Sequence, residues 1–171
     1  VLVRRANLSD VDVLNSICKS WEDKIISEGE PFPESYIKNC ILYGDLPPVK
    51  ETDLSKYALM VITESEQAIG FFDLYHGYPQ QHCVWISIFV IAKKYRQKHY
   101  GQKVISSIIR QIAENGFKCS GISVSLKNWR ALRFWSKNGF SRIGGIYGDK
   151  DNLPGACAFV RLYNDLDNIK N

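Results

Sequence analysis

A basic turn that leads into an amphipathic helix is the feature of this sequence with the clearest chemical consequence. The turn spans residues 95–102, carries Arg96, Lys98 and His99, and follows an apolar run at 84–92. The first N–H groups of a helix have no partner within the helix, and they lie at the positive end of its dipole. Anions bind at such positions. The turn therefore predicts a site for a phosphorylated ligand.

The distribution of charge supports this prediction. No Asp or Glu occurs from Leu74 to Ala113, although the net charge of the whole chain is only +4. The basic residues in this acid-free stretch are Lys93, Lys94, Arg96, Lys98, Lys103 and Arg110. A cationic excess of this kind favours a polyanionic ligand. A solvated basic face is the alternative reading of the cluster, and its position at the start of a helix favours the ligand.

A second motif begins at Asn128, after a predicted helix and strand. It reads Asn-Trp-Arg-Ala-Leu-Arg-Phe-Trp from Asn128 to Trp135, and Asn-Gly-Phe follows at 138–140. Together with the sequence Arg-Gln-Lys-His-Tyr-Gly at 96–101, this motif resembles the GNAT superfamily of acyl-CoA-dependent N-acetyltransferases. The resemblance covers about a third of the chain at the level of specific motifs, and it implies acetyl-CoA as the cosubstrate.

The resemblance also implies which residues bind that cosubstrate. Backbone groups of three strand residues would bind the pantetheine arm, at a bulge that splays this strand from its parallel neighbour, and one of their N–H groups would polarise the thioester. Backbone amides of the turn would hold the pyrophosphate, Asn128 would bind the pantetheine amides, and Trp135 would form a wall of the cofactor site. The implied set is Phe89, Val90, Ile91, Arg96, Gln97, Lys98, His99, Tyr100, Gly101, Gln102, Asn128 and Trp135.

Three departures from the family pattern bear on catalysis. His99 replaces the first glycine of the phosphate loop, although His tolerates unusual backbone angles better than most residues. Trp135 replaces the usual general-acid Tyr and cannot protonate a thiolate. The run at 84–92 lacks the Glu that often serves as base. Tyr100 and Tyr75 are candidate replacement acids, and we expect assisted transfer to persist because proximity and oxyanion binding supply much of the rate.

Asp73 is the predicted catalytic base. It is the last carboxylate before the acid-free stretch, and it falls in the middle of a strand that should neighbour the cofactor-binding strand. A solvent-facing strand Asp without chemistry is an equally good interpretation of the pattern. Glu28 and Glu30 lie in a loop that borders the acceptor site in the resembled family, and they would attract a cationic amine or be ordinary exposed acids.

The predicted function is therefore transfer of an acetyl group from acetyl-CoA to a primary amine, on a small molecule or a peptide. A non-catalytic acyl-CoA-binding module is the alternative that the substitution at Trp135 keeps open. Nucleic-acid binding is disfavoured because neither stacking aromatics nor a recognition-helix pattern accompanies the basic stretch. The sequence leaves the acceptor undefined and a homodimer open.

Composition bounds these predictions. With 171 residues, 45% hydrophobic and 23% charged, the chain predicts one domain over 1–171 with a sizeable core. No apolar run reaches the roughly 18–20 residues of a membrane span, and residues 1–5 lack the layout of a secretory signal. Scattered thiols, odd in number, favour reduced cysteines in a cytoplasmic protein. They are Cys18, Cys40, Cys83, Cys119 and Cys157.

The helices and strands predicted around the site together form an α+β domain. Its mixed, mainly antiparallel sheet is flanked by helices and contains a central strand–helix–strand crossover that binds the cofactor. Apolar periodicity predicts strands at 2–5, 57–63, 68–76, 83–92, 122–126 and 156–163. It predicts helices from a Ser9–Asp12 capping box to Ile25, from Pro33 to Gly44, from Gly101 to Asn115, and from an N-cap at Asn128 to Asn138. Residues 27–32 and 45–56 are predicted loops.

Overall fold

The computed structural model describes residues 1–150 and 155–166. Within these residues the α-helices are α1 (Val11–Lys19), α2 (Lys24–Glu28), α3 (Tyr36–Tyr43), α4 (Tyr100–Glu114) and α5 (Trp129–Lys137). The strands are β1 (Leu2–Arg5), β2 (Tyr57–Glu64), β3 (Gln67–His76), β4 (Cys83–Ile86), β5 (Phe89–Ile91), β6 (Cys119–Ser125), β7 (Arg142–Gly148) and β8 (Ala158–Asp165).

The strands form one sheet of mixed direction, as the sequence predicted. Its order is β1-β2-β3-β4-β6-β8-β7, and β5 pairs with β3. β4 and β6 are parallel, and the other described pairs are antiparallel. The parallel pair is joined through α4, which is the predicted strand–helix–strand crossover.

A bulge divides the predicted strand at 83–92 into β4 and β5. Tyr75 on β3 lies opposite Trp85, and Phe72 lies opposite Phe89. Two residues of β3 therefore face three residues of the other strand, which is the count that defines a β-bulge. The extra length at Ser87 and Ile88 turns β5 away from β6, so of these two described strands only β4 pairs with β6.

Helices cover both faces of the sheet and enclose two apolar clusters. α4 and α5 pack on one face through residues such as Ile105, Ile109 and Trp135. α1 and α3 pack on the other face, where Leu14 and Ile37 are fully buried. Helical spacing of apolar residues produces these faces, because residues three and four apart lie on the same side of a helix. None of the described helices combines the length and apolar character needed to cross a membrane.

Three predictions of local structure were wrong in detail. The capping box is formed by Asn7 and Asp10: the Asn7 side chain accepts from the Ser9 N–H, and the Asp10 carboxylate accepts from the Asn7 N–H. The first helix ends at Lys19, and α2 occupies part of the predicted loop at 27–32. Strand β7 was not predicted, because glycines interrupt its alternation and all but one of its residues are exposed.

The prediction of five reduced cysteines was also wrong. Cys83 and Cys119 form a disulfide, and Cys18, Cys40 and Cys157 are free. The parallel register of β4 and β6 places Cys83 directly opposite Cys119, although 36 residues separate them in sequence. The pairing depends on the crossover, so the spacing of the cysteines along the chain gives no sign of it.

Candidate functional site

A cavity of about 370 Å³ opens where β5 turns away from β6. Strand residues on either side of the gap and the start of α5 form one wall. Residues between Trp21, just after α1, and Asp45, two residues after α3, form the other wall. The lining consists of Trp21, Lys24, Glu28, Glu30, Pro31, Phe32, Pro33, Tyr36, Asp45, Ile86, Ser87, Ile88, Phe89, Ile122, Ser123, Val124, Asn128, Ala131 and Trp135.

The edge of β5 that faces the gap has free backbone groups. Asp73 donates its N–H to the Ile88 carbonyl, and Ala92 donates its N–H to the Ile69 carbonyl. Backbone groups in an antiparallel pair alternate in direction. With these two hydrogen bonds on either side of it, Val90 points its N–H and its carbonyl towards β3. The N–H groups of Phe89 and Ile91 point towards the gap. Of the three residues predicted to bind pantetheine through the backbone, Val90 is therefore already paired.

The turn before α4 adopts a conformation that exposes its amides. Gln97 and His99 both have a φ of 62°, in the left-handed region. Lys103 is the first residue of α4 whose N–H bonds back to the turn, to the His99 carbonyl. Within the described part of the chain, the N–H groups of residues 97–102 donate to no protein acceptor. This row of unpaired donors at a helix start can hold an anion.

The cationic side chains of the turn are arranged differently from one another. Arg96 turns back and donates its Nε–H to the Ile91 carbonyl at 2.8 Å, so it holds the end of β5. Burial lowers the pKa of Arg96, and the nearby charge of Arg130 adds to this effect. Lys98 lies over the ring of Tyr95, with Nζ 5.7 Å from its centroid. Lys98 is exposed, so its charge can reach a phosphate without first breaking an ion pair.

Gly101 is placed by packing as well as by proximity to the turn. A Cβ at this position would lie 3.2 Å from the Phe134 ring and 3.5 Å from the Phe89 ring. These rings are stacked, with centroids 5.7 Å apart. Gly101 therefore lets the start of α4 approach the aromatic cluster between β5 and α5.

Asn128 joins the two walls of the cavity. Its Oδ1 accepts from the Ala131 N–H and caps α5, as predicted from the sequence. Its Nδ2 donates to Glu28 Oε1 at 2.7 Å. Burial raises the pKa of Glu28, and the hydrogen bond from Asn128 opposes that rise. One N–H of the Asn128 amide is thus engaged by Glu28, and the second has no acceptor among the residues that the structure describes.

Trp135 lies at the base of the cavity as a packing residue. It is buried and makes edge contacts with the rings of Phe89, Phe134 and Phe140. These contacts fix the indole against the wall formed by β5. The role of Trp135 as a cofactor wall stays a prediction.

The opposite wall combines acids with aromatic rings. Tyr36 donates its hydroxyl to Asp45 Oδ2 at 3.3 Å, and burial raises the pKa of both groups. The Phe32 ring contacts Tyr36 at 5.0 Å and Trp21 at 6.0 Å between centroids. Carboxylates beside aromatic faces attract alkylammonium ions. Sequence reasoning missed Tyr36 and Asp45, because only the return of the chain after α3 brings Asp45 to the cavity.

Asp73, the predicted base, lies behind the bulge. It is 1% exposed, so the solvent-facing interpretation was wrong. Its Oδ1 accepts the N–H groups of Ser87 at 2.7 Å and Ile88 at 3.0 Å. Burial, with a smaller contribution from the charge of Asp45, raises the pKa of Asp73 to about 8. The side chain does not line the cavity, and it holds the bulge in place.

The other candidate residues fall into two groups. Glu28 and Glu30 line the cavity, as expected for acids bordering an acceptor site. Tyr75 and Tyr100, the candidate acids, are not among its lining residues. Tyr75 is buried and accepts the Asp53 N–H, and Tyr100 packs edge-on against Tyr95.

Known proteins share this sequence pattern and fold. The sequence profile of the Acetyltransferase (GNAT) family matches residues 18–140. A probable spermine N(1)-acetyltransferase of Bacillus subtilis subsp. natto is 30% identical over 111 residues, which are 64% of this chain and 66% of that protein. This chain thus spans just under two thirds of the length of that curated relative.

Solved structures show the same fold at lower identity. A Streptococcus mutans protein superposes with a TM-score of 0.73 at 19% identity, over 98% of this chain and 100% of that one. A Bacillus subtilis acetyltransferase in complex with CoA superposes with a TM-score of 0.64 at 16% identity, over 96% and 97% of the two chains.

Proposed function

Since the chain belongs to the GNAT acetyltransferase family, we propose that it transfers an acetyl group from acetyl-CoA to a primary amine of a small alkylammonium compound, with polyamines as the class. One observation carries the proposal. A single cavity is bordered on one side by the free edge of β5 and on the other by Glu28, Asp45 and aromatic rings. The first wall suits an acyl-CoA arm, and the second suits a cationic amine.

The residues fit acyl-CoA in two independent places. Free N–H groups at 97–102 converge at the start of α4, where pyrophosphate oxygens would accept them. The inward-facing backbone of Phe89 and Ile91 provides hydrogen bonds for an extended amide chain, in the manner of an added strand. Asn128 and Trp135 complete that wall. The CoA complex of a fold relative supports the same assignment.

The acceptor wall supports a cationic substrate. The acids Glu28, Glu30 and Asp45 line the cavity together with the aromatic rings of Trp21, Phe32 and Tyr36. An alkylammonium ion gains both ion pairing and cation–π attraction there. The relative named as a spermine N(1)-acetyltransferase supports a polyamine as the acceptor.

The residues of this chain have distinct tasks in the proposed reaction. Acetyl-CoA would supply an activated acetyl group whose leaving thiol has a pKa near that of Cys, about 8.5. The free N–H of Phe89 would polarise the acyl oxygen. Asp45 would bind the acceptor ammonium and take its proton, since a base must lie within hydrogen-bond reach of the amine or one water away.

Asp73 has a positioning role in this proposal. Its hydrogen bonds keep the bulge open at Ser87 and Ile88, so it positions the free edge of β5. Its charge interacts with that of Asp45, which raises the pKa of Asp73 beyond the effect of burial. We therefore assign Asp45 the direct contact with the amine. Asp73 was predicted as the base, but with a pKa raised to about 8 it already holds a proton at neutral pH, so we assign it the positioning of the bulge and not the uptake of the amine proton.

Turnover of acetyl-CoA in the presence of amines tests the proposal. Thiol release should be observed with spermidine, and more weakly with a peptide N-terminus that lacks a second ammonium. The Asp45→Asn variant should raise the KM for spermidine by about tenfold or more, since a hydrogen bond to a charged group contributes roughly 1.5–3 kcal/mol. Asp53→Asn is the matched control, because Asp53 is exposed and lies outside the cavity.

Three results would contradict the proposal or part of it. Absence of CoA binding by calorimetry would remove the cofactor assignment. Tight CoA binding without turnover of any amine would favour the non-catalytic acyl-CoA-binding module. A peptide turned over better than spermidine would keep the transferase and replace the acceptor class.

A further inference from the structure

An ammonium group already occupies the mouth of the cavity. Lys24 Nζ lies 4.6 Å from the centroid of the Phe32 ring and donates to the Glu30 carbonyl at 2.8 Å. Burial raises the pKa of Glu28, and the positive charge of Lys24 offsets part of that rise. An aromatic face and a carbonyl oxygen thus contact one alkylammonium ion, and the carboxyl of Glu28 interacts with its charge from beyond ion-pair distance. This is the chemistry that recognises such ions in general.

We infer that these groups form a second ammonium subsite, which takes the distal ammonium of a di- or polyamine when Lys24 withdraws. The inference rests on the proposed amine acetylation and specifies which amines the cavity prefers. In this arrangement Lys24 is a tethered competitor. It binds where the distal ammonium of the substrate binds, so an acceptor with a second ammonium must displace it and a monoamine need not.

The contacts of Lys24 are weak enough to exchange. Lys24 is half-buried at the first residue of the short helix α2, and its flexible side chain can swing towards solvent. Among the described residues it forms no salt bridge, in contrast to Lys93, which pairs with Glu22 at 2.6 Å. A partly exposed cation–π contact changes an equilibrium by a factor of roughly two to five. A substrate ammonium can therefore replace it.

The subsite is continuous with the place assigned to the reacting amine. The Phe32 ring lies 5.0 Å from the Tyr36 ring, and the Tyr36 hydroxyl donates to Asp45. A diamine can lie along the two rings with one nitrogen at Asp45 and the other at Phe32. A monoamine uses only the first of these positions, so the two kinds of substrate respond differently to Lys24.

The test compares acceptors with and without a second ammonium. KM is measured for 1,4-diaminobutane and for butylamine in the wild type and in Lys24→Met, which keeps the apolar stem and removes the charge. The ratio of the diamine KM to the monoamine KM should fall by roughly two- to fivefold in Lys24→Met. Lys19→Met is the matched control, because Lys19 is exposed outside the cavity and carries the same charge. It should leave the ratio unchanged.

A second variant tests the aromatic contact itself. Phe32→Leu keeps apolar bulk and removes the ring face, so in the Lys24→Met background it should reverse the gain and raise the ratio. An unchanged ratio in Lys24→Met, or a higher one, would overturn the inference. Calorimetric titration of spermidine provides a readout that needs no turnover. Tighter binding by Lys24→Met supports the subsite, and equal binding refutes it, even if the chain proves to acetylate no amine.

Discussion

Two side chains of the phosphate-binding turn stand where backbone angles favour glycine. Gln97 and His99 have a φ of 62°, which brings Cβ too close to the following carbonyl oxygen and costs roughly 1–2 kcal/mol per residue. Strain of this size persists where the surrounding structure fixes the backbone, often at a ligand site. In this turn the same angles direct the amides of residues 97–102 away from protein acceptors. The prediction that His99 would tolerate an unusual backbone is thereby confirmed.

His99→Gly should therefore stabilise the protein. Glycine removes the steric cost at a positive φ, and its greater freedom in the unfolded chain cancels part of the gain, so we expect about 0.5–1 kcal/mol. Urea unfolding measures the change, and calorimetry should show CoA affinity equal to or above that of the wild type. Gln102→Gly is the control. Gln102 lies in the first turn of α4 and does not have a positive φ, so glycine should destabilise the protein there. Loss of stability in His99→Gly would contradict this account of the turn.

Asp73 shows how burial changes the meaning of a residue. Because burial and Asp45 raise its pKa from 3.8 to about 8, the folded protein holds this proton more tightly than the unfolded chain. Stability is then highest below the unfolded pKa and falls as the pH rises towards 8. The slope for one group is about 1.4 kcal/mol per pH unit.

Asp73→Asn should remove this slope. Asparagine cannot ionise, and its carbonyl oxygen can still accept from Ser87 and Ile88. Urea unfolding between about pH 5 and pH 8 should show that the variant loses less stability than the wild type with rising pH. Asp12→Asn, at an exposed position on α1, is the control and should follow the wild type. Parallel stability curves for Asp73→Asn and the wild type would show that the carboxyl does not titrate in this range.

At the level of elements, the bulge between β4 and β5 creates the cavity. The apolar run at 84–92 predicts one strand, and only the resemblance to a family indicated that the strand would bulge. In the structure the reasons lie on β3, where Asp73 caps the bulge and Gly70 faces β5. These partners are distant in sequence, so no local pattern could show that they meet the bulge.

Gly70 permits the close approach of β5 to β3. A methyl group at this position would collide with the Val90 carbonyl oxygen and lie 2.8 Å from the Ile91 side chain. Gly70→Ala should therefore displace β5 and destabilise the protein by about 1–3 kcal/mol, as overpacking does in other cores. It should also weaken CoA binding, because Phe89 and Ile91 would move with the strand. Ser123→Ala, at an exposed position on β6, should change stability little. Wild-type stability in Gly70→Ala would show that β5 can shift without cost.

Other elements show where local patterns are insufficient. The segment Lys24–Glu28 is only five residues long, and a helix of that length gains little from propensity and depends on tertiary contacts. Strand β7 contains glycines and has little buried surface, so its sequence lacks the apolar–polar alternation that predicts a strand. The strand is instead stabilised by its pairing with β8. Long segments such as α4 and β3 were predicted closely, because the spacing of their apolar residues shows which residues are buried.

At the scale of the whole molecule, charges of opposite sign form two groups, with cations at the start of α4 and acids on the lining of the cavity. The cations of the acid-free stretch come from one continuous segment, so their cluster is visible in the sequence. The acids Glu28, Glu30 and Asp45 come from segments before β2 and converge only when α2 and α3 pack beside the sheet. Sequence analysis therefore named Glu28 and Glu30, but it could not show that they lie beside Asp45 on one wall of the cavity. In the proposed reaction, the first group of charges would bind the phosphates of the cosubstrate and the second would bind the ammonium of the acceptor.

A disulfide links β4 and β6 covalently and so constrains the whole sheet. Cys83 and Cys119 join the parallel strands at the end opposite to the gap, so the disulfide fixes the sheet where it is closed. Unfolded protein without reductant should show three reactive thiols, from Cys18, Cys40 and Cys157, and five after reduction. Denaturant is required for the count, because Cys18 and Cys40 are buried. Burial also raises their pKa values, to about 12 for Cys18 and about 11 for Cys40.

Reduction should also lower stability. A cross-link that closes a loop of this length restricts the unfolded chain and is worth roughly 3–4 kcal/mol. The urea midpoint of the oxidised protein should therefore exceed that of the reduced protein. A double variant with Cys83→Ser and Cys119→Ser should unfold at the same midpoint with and without reductant. Five thiols in the unreduced, unfolded wild type would show that the two sulfurs are not joined, and the midpoint would then be independent of reductant in the wild type as well.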